Sequence, residues 1–284
     1  MTSQPSRRGA PEPPDPLPIP VVDNHTHLDI SRDGDQVSVD DLGPVLAAAR
    51  AVGVDRVVQV GCDLPGARFA VEAADRYVGV LAGVALHPNE VPELAASGGL
   101  ADAYAEIERL AALPRVRVVG ETGLDYYRTG PDGVPAQQDS FRWHIDLAKR
   151  LDRTLQIHDR DSHDDVLRVL AEEGAPERTV MHCFSGGPEM ARACVDRGYH
   201  LSFSGTVTFK SSKALRDALA VTPLEQLLVE TDAPYLTPHP WRGATNSPAL
   251  VPLTVRAMAA VLGVAVPTLC QALSVNAERL YGPW

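Results

Sequence analysis

The chain of 284 residues lacks features that mark several common protein classes. It contains no apolar run long enough to cross a bilayer and no apolar segment after the two arginines near its start, so we expect neither a membrane span nor a secretory signal. Its few cysteines form no Cys-x-x-Cys pair and predict reduced thiols in a cytoplasmic protein. They are Cys62, Cys183, Cys194 and Cys270.

Basic residues are also in short supply. Lysine and arginine total 26 against 37 aspartates and glutamates, for a formal net charge of -11. This balance argues against a protein that binds DNA through a broad basic surface. It leaves room for an enzyme that handles a single phosphodiester in a local positive pocket, above all one with bound cations.

Proline is concentrated at the N-terminus, where seven of the first twenty residues are proline. This composition predicts that residues 1–20 form a disordered, polyproline-like tail. Residues 21–284 contain no repeat and no sign of a second domain, so we expect them to form one domain.

Short β-branched runs alternate with longer helical stretches along that domain. Runs with little polar alternation are typical of parallel strands buried on both faces. Eight of them predict an α/β protein with a TIM (β/α)8 barrel. An open doubly wound sheet is the alternative, but it calls for a glycine-rich turn after the first strand, where this chain has DNHTHLD. The runs are VV at 21–22, VDRVVQV at 54–60, VGVLAGVAL at 78–86, VRVVG at 116–120, TLQI at 154–157, TVM at 179–181, HLSFS at 200–204 and LLV at 227–229.

Helices are predicted between these runs. Residues 136–151 and 163–173 carry apolar side chains at helical spacing. The pair Ser247-Pro248 is typical of an N-cap followed by proline in the first turn, with Pro252 either tolerated there or defining a later start.

Potential metal ligands stand at the carboxyl ends of five of the eight runs. In a β/α barrel these ends converge on one face, where active sites lie. A single histidine or carboxylate after a strand usually has a structural explanation, whereas the joint pattern predicts a metal site at this face. His25 and His27 strengthen it, because residues two apart on a strand point to the same side. The predicted ligands are His25, His27, Glu121, His158, His182 and Asp232.

Other polar residues at the strand ends are candidate substrate contacts. His87 follows the third run, and Arg128, Arg160 and Arg242 follow strand-end motifs. The arginines fit phosphate clamps, with solvated surface arginines as the alternative. The remaining histidines are predicted to have no role in the site; they are His144, His163, His200 and His239.

Seven segments together resemble the TatD family of metal-dependent hydrolases and DNases, in family order from about residue 21 to the C-terminus. The resemblance implies a TIM barrel and metal-dependent hydrolysis of DNA phosphodiesters, often as a 3′-exonuclease, with single-stranded DNA as the expected substrate. The segments are DNHTHLD, LHP at 86–88, GETGLDYYR at 120–128, IHDRD at 157–161, HCFSG at 182–186, ETDAPYLTP at 230–238 and RGATN at 242–246.

The resemblance also implies two divalent metal ions and the residues that hold them. His25 and His27 would hold one ion with Asp232, His158 and His182 would hold the second, and Glu121 would bridge the two. Asp232 would also accept a proton from the attacking water, so Asp232 and Glu121 are the expected catalytic residues. The imidazole-rich set favours zinc, manganese or iron over magnesium, and more than one divalent ion, with zinc, magnesium and manganese foremost, is expected to support activity.

Three positions depart from the family pattern, namely Thr122, Asp159 and Ser247. None removes a ligand, but Asp159 adds negative charge near the expected phosphate. A hydrolase of amides, lactones or aminoacyl esters on the same site is therefore an alternative, and a non-catalytic binding protein is a third. We expect a monomer, since no dimerisation helix or coiled coil is recognisable.

Overall fold

The computed structural model describes residues 11–284, and its centre is a sheet of eight parallel strands in sequential order. This arrangement confirms the predicted TIM barrel, with one strand for each of the eight apolar runs. The strands are β1 (Val21–Thr26), β2 (Val54–Gly61), β3 (Val80–Val84), β4 (Val116–Asp125), β5 (Thr154–Arg160), β6 (Thr179–Met181), β7 (His200–Phe203) and β8 (Leu227–Val229).

Within residues 11–284, ten α-helices connect and surround the strands. They are α1 (Leu42–Ala51), α2 (Leu64–Arg76), α3 (Val91–Ser97), α4 (Leu100–Ala111), α5 (Val134–Leu151), α6 (His163–Glu173), α7 (Pro188–Val195), α8 (Lys213–Val221), α9 (Val251–Leu262) and α10 (Val266–Tyr281). Within residues 11–284 no single helix has both the length and the apolar composition needed to cross a bilayer; the bent pair formed by 248–262 and 266–281 passes that test only when taken together.

Strand and helix boundaries differ from expectation where neighbouring elements intervene. Strand β4 runs five residues beyond the predicted 120, because its last residues continue to pair with β5 as far as Asp125 opposite Arg160. Helix α9 begins at Val251 after a short 3-10 turn, and Ser247 makes no side-chain capping bond. Pro252 in the first turn of α9 therefore marks the later start that the sequence allowed.

Apolar side chains pack in two layers on either side of the sheet. The larger layer fills the space between the strands and the helices. The smaller lies inside the barrel near the amino ends of the strands, where α10 closes it with Leu280 and Tyr281. The strand residues of this inner layer are Val22, Val58, Val60, Leu81, Val118, Val180 and Leu228.

The barrel closes between β1 and β8 through bonds at the carboxyl ends of the strands. The side chain of Asn24 donates to the carbonyl of Val229 at 2.8 Å, and the backbone N–H of Asp232 donates to the carbonyl of His25 at 3.0 Å. These two bonds set the segment after β8 directly beside the end of β1.

The predicted disordered tail is only partly within the described residues. Residues 1–10 lie outside them. Residues 11–20 have no helix or strand, but Leu17 is buried and its N–H donates to the carbonyl of Val52 at 3.0 Å. Arg256 donates to the carbonyl of Asp15 at 2.8 Å, so this half of the segment packs against the barrel.

Candidate metal centre

The His-x-His pair lies at the end of β1 and is fully enclosed. His25 and His27 are buried, and their Nε2 atoms lie 3.2 Å apart. The other ring nitrogen of each is held by the barrel: His25 Nδ1 is 2.9 Å from Gln156 Oε1, and His27 Nδ1 is 2.8 Å from the carbonyl of Val60. A protein acceptor on Nδ1 leaves the Nε2 lone pair for a metal, as is common in histidine metal sites.

Glu121 is placed in the middle of the site by the close approach of β4 and β5. Gly123, two residues on, has a φ of 137°, and a Cβ atom there would lie 2.1 Å from the carbonyl oxygen of His158. Only glycine fits this position, because any side chain would force the strands apart. Glu121 Oε1 consequently lies 2.6 Å from His158 Nδ1.

His158 and His182 approach Glu121 from β5 and β6. His182 Nε2 lies 3.1 Å from Glu121 Oε1. On their far sides the two rings meet further carboxylates: His158 Nε2 is 3.2 Å from Asp125 Oδ2, and His182 Nδ1 is 3.0 Å from Glu230 Oε1. Each ring is therefore held between Glu121 and a second buried acid.

Asp232 completes the group from the segment after β8. Its φ of 54° is a left-handed conformation that aspartate tolerates better than most residues. Its Oδ1 atom lies 3.4 Å from His27 Nε2. The carboxylate thus joins the His-x-His pair rather than the His158 side of the site.

The two oxygens of Glu121 face different histidines. Oε2 lies 3.5 Å from His25 Nε2 and 3.7 Å from His27 Nε2, whereas Oε1 faces His158 and His182. The structure brings all six predicted ligands together. One potential donor group contains His25, His27 and Asp232, another contains His25, Glu121 and His182, and a third contains His87, Glu121 and His158.

The electrostatics of the site favour an ionised Glu121. Burial alone would raise its pKa, but His182, His87 and His158 around it hold the pKa well below the usual range. The pKa of Asp232 is also lowered, despite burial, by its contact with His27 and by the charges of the neighbouring histidines. Two carboxylates kept ionised in a buried pocket are suited to holding cations.

The donor set fits divalent metal ions of borderline softness. It combines imidazole nitrogens with carboxylate oxygens, which suits zinc and manganese, and the outer nitrogens of the four ligand histidines face protein acceptors. His25, His27 and Asp232 would hold one ion, His158 and His182 the other, and Glu121 is placed to contact both.

Several residues of the site were not predicted as members. Cys62 Sγ lies 3.5 Å from Glu121 Oε2. Asp125 contacts Nε2 of His158, and Gln156 contacts Nδ1 of His25. Glu230 is fully buried, and its Oε1 atom lies 3.0 Å from His182 Nδ1. The signal for Asp125 and Glu230 was their position within strand-end motifs; Gln156 lies inside a strand that reads as apolar.

The four candidate substrate contacts are not equivalent. His87 lies within the centre, with Nε2 3.6 Å from Glu121 Oε1. Arg160 stacks over the ring of Tyr127 at 3.9 Å, and Arg242 stacks over a second aromatic ring, that of Phe209, at 4.5 Å. Arg128 is exposed, with only its backbone N–H bonded to the site, through Asp125 Oδ1.

Known proteins resemble this chain over almost its whole length. The sequence model of the family described as TatD related DNase matches residues 22–282. The uncharacterized metal-dependent hydrolase TatD of Mycobacterium tuberculosis is 48% identical over 268 residues, which cover 92% of this chain and 98% of that protein. The uncharacterized metal-dependent hydrolase YabD of Bacillus subtilis is 36% identical over 263 residues, with 92% and 98% coverage.

Solved structures show the same architecture. The crystal structure of YjjV, a TatD homolog from Escherichia coli, superimposes with a TM-score of 0.82 at 26% identity and covers 92% of this chain and 97% of that one. A TatD family hydrolase from Entamoeba histolytica superimposes with a TM-score of 0.82 at 20% identity, with coverage of 94% and 100%, which supports the fold alone.

Proposed function

The chain belongs to the TatD family of metal-dependent hydrolases, and from this premise we propose that it hydrolyses phosphodiester bonds of single-stranded DNA from the 3′ end. The observation that carries the proposal is the position of Glu121 between two sets of histidines, with one oxygen facing each set. A carboxylate between two donor groups is suited to a pair of cations, and such pairs are common in phosphodiester hydrolysis. The direction of cleavage comes from the family resemblance.

Two divalent ions, when bound, supply an acidified water and stabilise charge on the attacking and leaving oxygens. The chain holds the ligands for them in fixed positions. His25 is held by Gln156, and His182 lies against the buried carboxylate of Glu230, so little reorganisation is needed when the donors close on a cation.

Asp232 is suited to receive the proton of the attacking water. Its lowered pKa keeps it ionised at neutral pH, and its contact with His27 orients one oxygen. The other carboxylate oxygen remains for the proton, and the side chain has access to solvent, with about 15% of its surface exposed. An ionised carboxylate with solvent access can accept a proton from a water molecule beside it.

Two pairs of side chains beside the site are suited to binding a nucleic acid strand. Arg160 over Tyr127 and Arg242 over Phe209 pair a guanidinium with an aromatic ring. Tyr127 as a whole residue is 65% exposed, which leaves room for a base to stack, and the guanidinium can contact a phosphate. Such pairs favour an unpaired strand over a duplex, whose bases are already stacked.

Asp159 adds a negative charge near the expected position of a phosphate. Its two oxygens are engaged by the Ser162 hydroxyl at 2.8 Å and by His163 Nδ1 at 2.7 Å, at the start of α6. Its negative charge is thus partly neutralised by local partners. The net charge of -11 still favours a small carbonyl substrate as the second candidate, for which the same metal ligands would serve.

A substrate panel separates these functions. The purified protein, reconstituted in turn with zinc, manganese and magnesium, is given single-stranded DNA labelled at the 5′ or the 3′ end, and separately chromogenic esters and lactones. We expect shortening of the 5′-labelled strand one nucleotide at a time. Turnover of esters or lactones without cleavage of DNA by any of the three ions would overturn the proposal in favour of the carbonyl hydrolase.

Asp232→Asn provides the control for contaminating nucleases. The substitution keeps the shape of the side chain but removes the base, and we expect DNA cleavage to fall by about 10²–10⁴-fold, the range for loss of a general base. Cleavage unchanged in Asp232→Asn would mean that the activity belongs to another protein or another site.

A further inference from the structure

A cleft with several basic side chains lies at the opposite end of the barrel from the candidate metal centre. Arg178 directly precedes β6, His200 opens β7, and Arg279 is in the last turn of α10, whereas the ligand His182 follows the other end of β6. The cleft that these residues line has a volume of about 640 Å³. This volume lies within the range for pockets that bind small molecules.

Positive charge dominates the cleft. Arg178, Arg197 and Arg279 line it, against one carboxylate, that of Glu177. Arg178 donates to Asp152 through one terminal nitrogen, while its Nε atom is buried without a hydrogen-bond partner. Neither Arg197 nor Arg279 forms an ion pair with any residue between 11 and 284. Both side chains are exposed, and the guanidinium of Arg197 donates one bond, to the carbonyl of Ala193 at 2.6 Å, so both charges remain open to an anion in the cleft.

His200 stands at the base of the cleft with unused hydrogen-bonding capacity. It is 7% exposed, and neither of its ring nitrogens has a hydrogen-bond partner. The backbone of Glu225 comes near the ring without the geometry of a hydrogen bond. Burial and the charge of Arg279 lower the pKa of His200 to about 4. A buried polar ring without partners is costly, and a ligand in the cleft would supply what it lacks.

We propose that this cleft is a binding site for a phosphate group, with Arg197 and Arg279 as its charged arms and His200 as the donor at its base. Arginine forks match the oxygens of a phosphate, and the neutral imidazole offers one N–H. The cleft also has apolar walls, including Leu170, Pro176 and Leu280, so it has room for a phosphate joined to a small organic body. The inference does not rest on the proposed nuclease function.

Isothermal titration tests the site with two probes, inorganic phosphate and adenosine 5′-monophosphate. The metal-loaded protein is titrated first, and the same preparation is titrated again after EDTA to remove binding that depends on metal ions. We expect one phosphate-binding site to persist after EDTA. The ratio of the two affinities identifies the source, because tighter binding of the nucleotide means an organic phosphate and equal binding means free phosphate.

Variants locate the binding in the cleft. Arg197→Gln with Arg279→Gln removes both charged arms without breaking an ion pair, and we expect the metal-independent affinity to fall about tenfold or more. Arg192→Gln is the matched control, since this exposed arginine on α7 is outside the cleft. This substitution changes the net charge without altering the cleft, so the variant should bind phosphate as tightly as the wild type does.

Nuclear magnetic resonance of the histidine rings gives a second readout. Titration with adenosine 5′-monophosphate after EDTA should move the ring signals of His200 and leave those of His144, which is held by Leu86 and Ser140. The proposal fails if no binding tighter than about 1 mM persists after EDTA. It fails equally if the double variant binds as tightly as the wild type, or if the His200 signals stay in place.

Discussion

The two ends of the barrel are built from the same strands but differ in chemistry. At the carboxyl ends, His25, His27, His158 and His182 surround Glu121 in a pocket of polar groups. At the amino ends the strands turn valine and leucine side chains toward α10. The comparison shows a division along the strands: their first residues stabilise the fold, and at five of the eight the last residues, or those that follow, supply the candidate metal ligands.

The division is not complete, because polar side chains connect the two ends. Tyr281, on the helix that closes the barrel, donates to Asn24 Oδ1 at 2.9 Å. Its hydroxyl also accepts from Gln156 Nε2 at 2.9 Å, and Gln156 Oε1 contacts His25. One hydrogen-bonded path therefore runs from the closing helix to His25, a predicted metal ligand.

The largest effect on turnover is expected at the carboxyl ends of the strands, which we call the mouth of the barrel. Glu121→Gln removes the charge that faces both histidine groups, and we expect turnover to fall on the order of 10³-fold or more, as for loss of a residue on which the whole site depends. The free energy of unfolding of the metal-free protein should change much less than the activation free energy. The substitution removes the cost of burying a charge, and this offsets the lost attraction between that charge and the histidines. Kinetics on the substrate found in the panel and urea unfolding measure the two effects.

Glu189→Gln is the matched control, because this glutamate is exposed on α7 and forms none of the ion pairs with the ligand histidines. It should leave both quantities unchanged. Retention of more than about one tenth of the turnover in Glu121→Gln would show that the mouth does not work as a unit around this carboxylate.

At the amino ends of the strands, which α10 closes, a substitution should lower stability and leave turnover unchanged. Leu81 is 1% exposed in the inner apolar layer, and Leu81→Ala should lower the free energy of unfolding by about 2–5 kcal/mol through lost burial and a cavity. Turnover per folded molecule should stay near that of the wild type. Val78→Ala, at a position 81% exposed before the same strand, should change neither. A large fall in turnover at unchanged metal affinity in Leu81→Ala would contradict the division.

Both halves of the strands could be predicted from the sequence, because each half has a simple pattern of residue types. Unbroken apolar runs identify the buried halves, and histidines or carboxylates at their ends identify the mouth. Gln156 could not be assigned in this way, since it lies within the run TLQI and contacts His25 across the barrel. Tyr281 is 257 positions from its partner Asn24. Such contacts depend on how the barrel closes, which no local pattern records.

A histidine that lies at neither end of the barrel provides a third case, in which only stability should depend on the residue. His144 on α5 is fully buried; its Nε2 accepts from the N–H of Leu86 at 3.1 Å, and its Nδ1 donates to the carbonyl of Ser140 at 2.8 Å. Burial lowers its pKa to about 4, which is below the ordinary value of 6.5. The unfolded chain therefore binds a proton first as the pH falls, and the folded protein loses stability.

The contribution of His144 should be fully present above pH 6.5 and should decline toward pH 4, by at most about 3 kcal/mol. Urea unfolding at several pH values measures the decline in the wild type and in His144→Gln, whose amide can still accept from Leu86. The variant should show a shallower decline over this interval, although His200, whose pKa is also about 4, contributes in the same direction. Identical slopes would show that His144 does not remain neutral in the folded state.

The smallest effect tests the path between the two ends. Tyr281→Phe removes a hydroxyl that bonds Asn24 and Gln156, and should cost about 1 kcal/mol of stability. It should also weaken metal binding by up to about tenfold, because Gln156 orients His25 but keeps its second bond, to the carbonyl of Asn24 at 2.8 Å.

Tyr77→Phe is the matched control for this path, since the hydroxyl of Tyr77 donates to the carbonyl of Val39 outside the barrel. Both variants lose a tyrosine hydroxyl, so both should lose a similar amount of stability. Only Tyr281→Phe should alter the metal affinity measured by competition with a chelating dye. If the two variants bind metal equally well, the closing helix serves stability alone and the division between the two ends is sharper than the hydrogen bonds indicate.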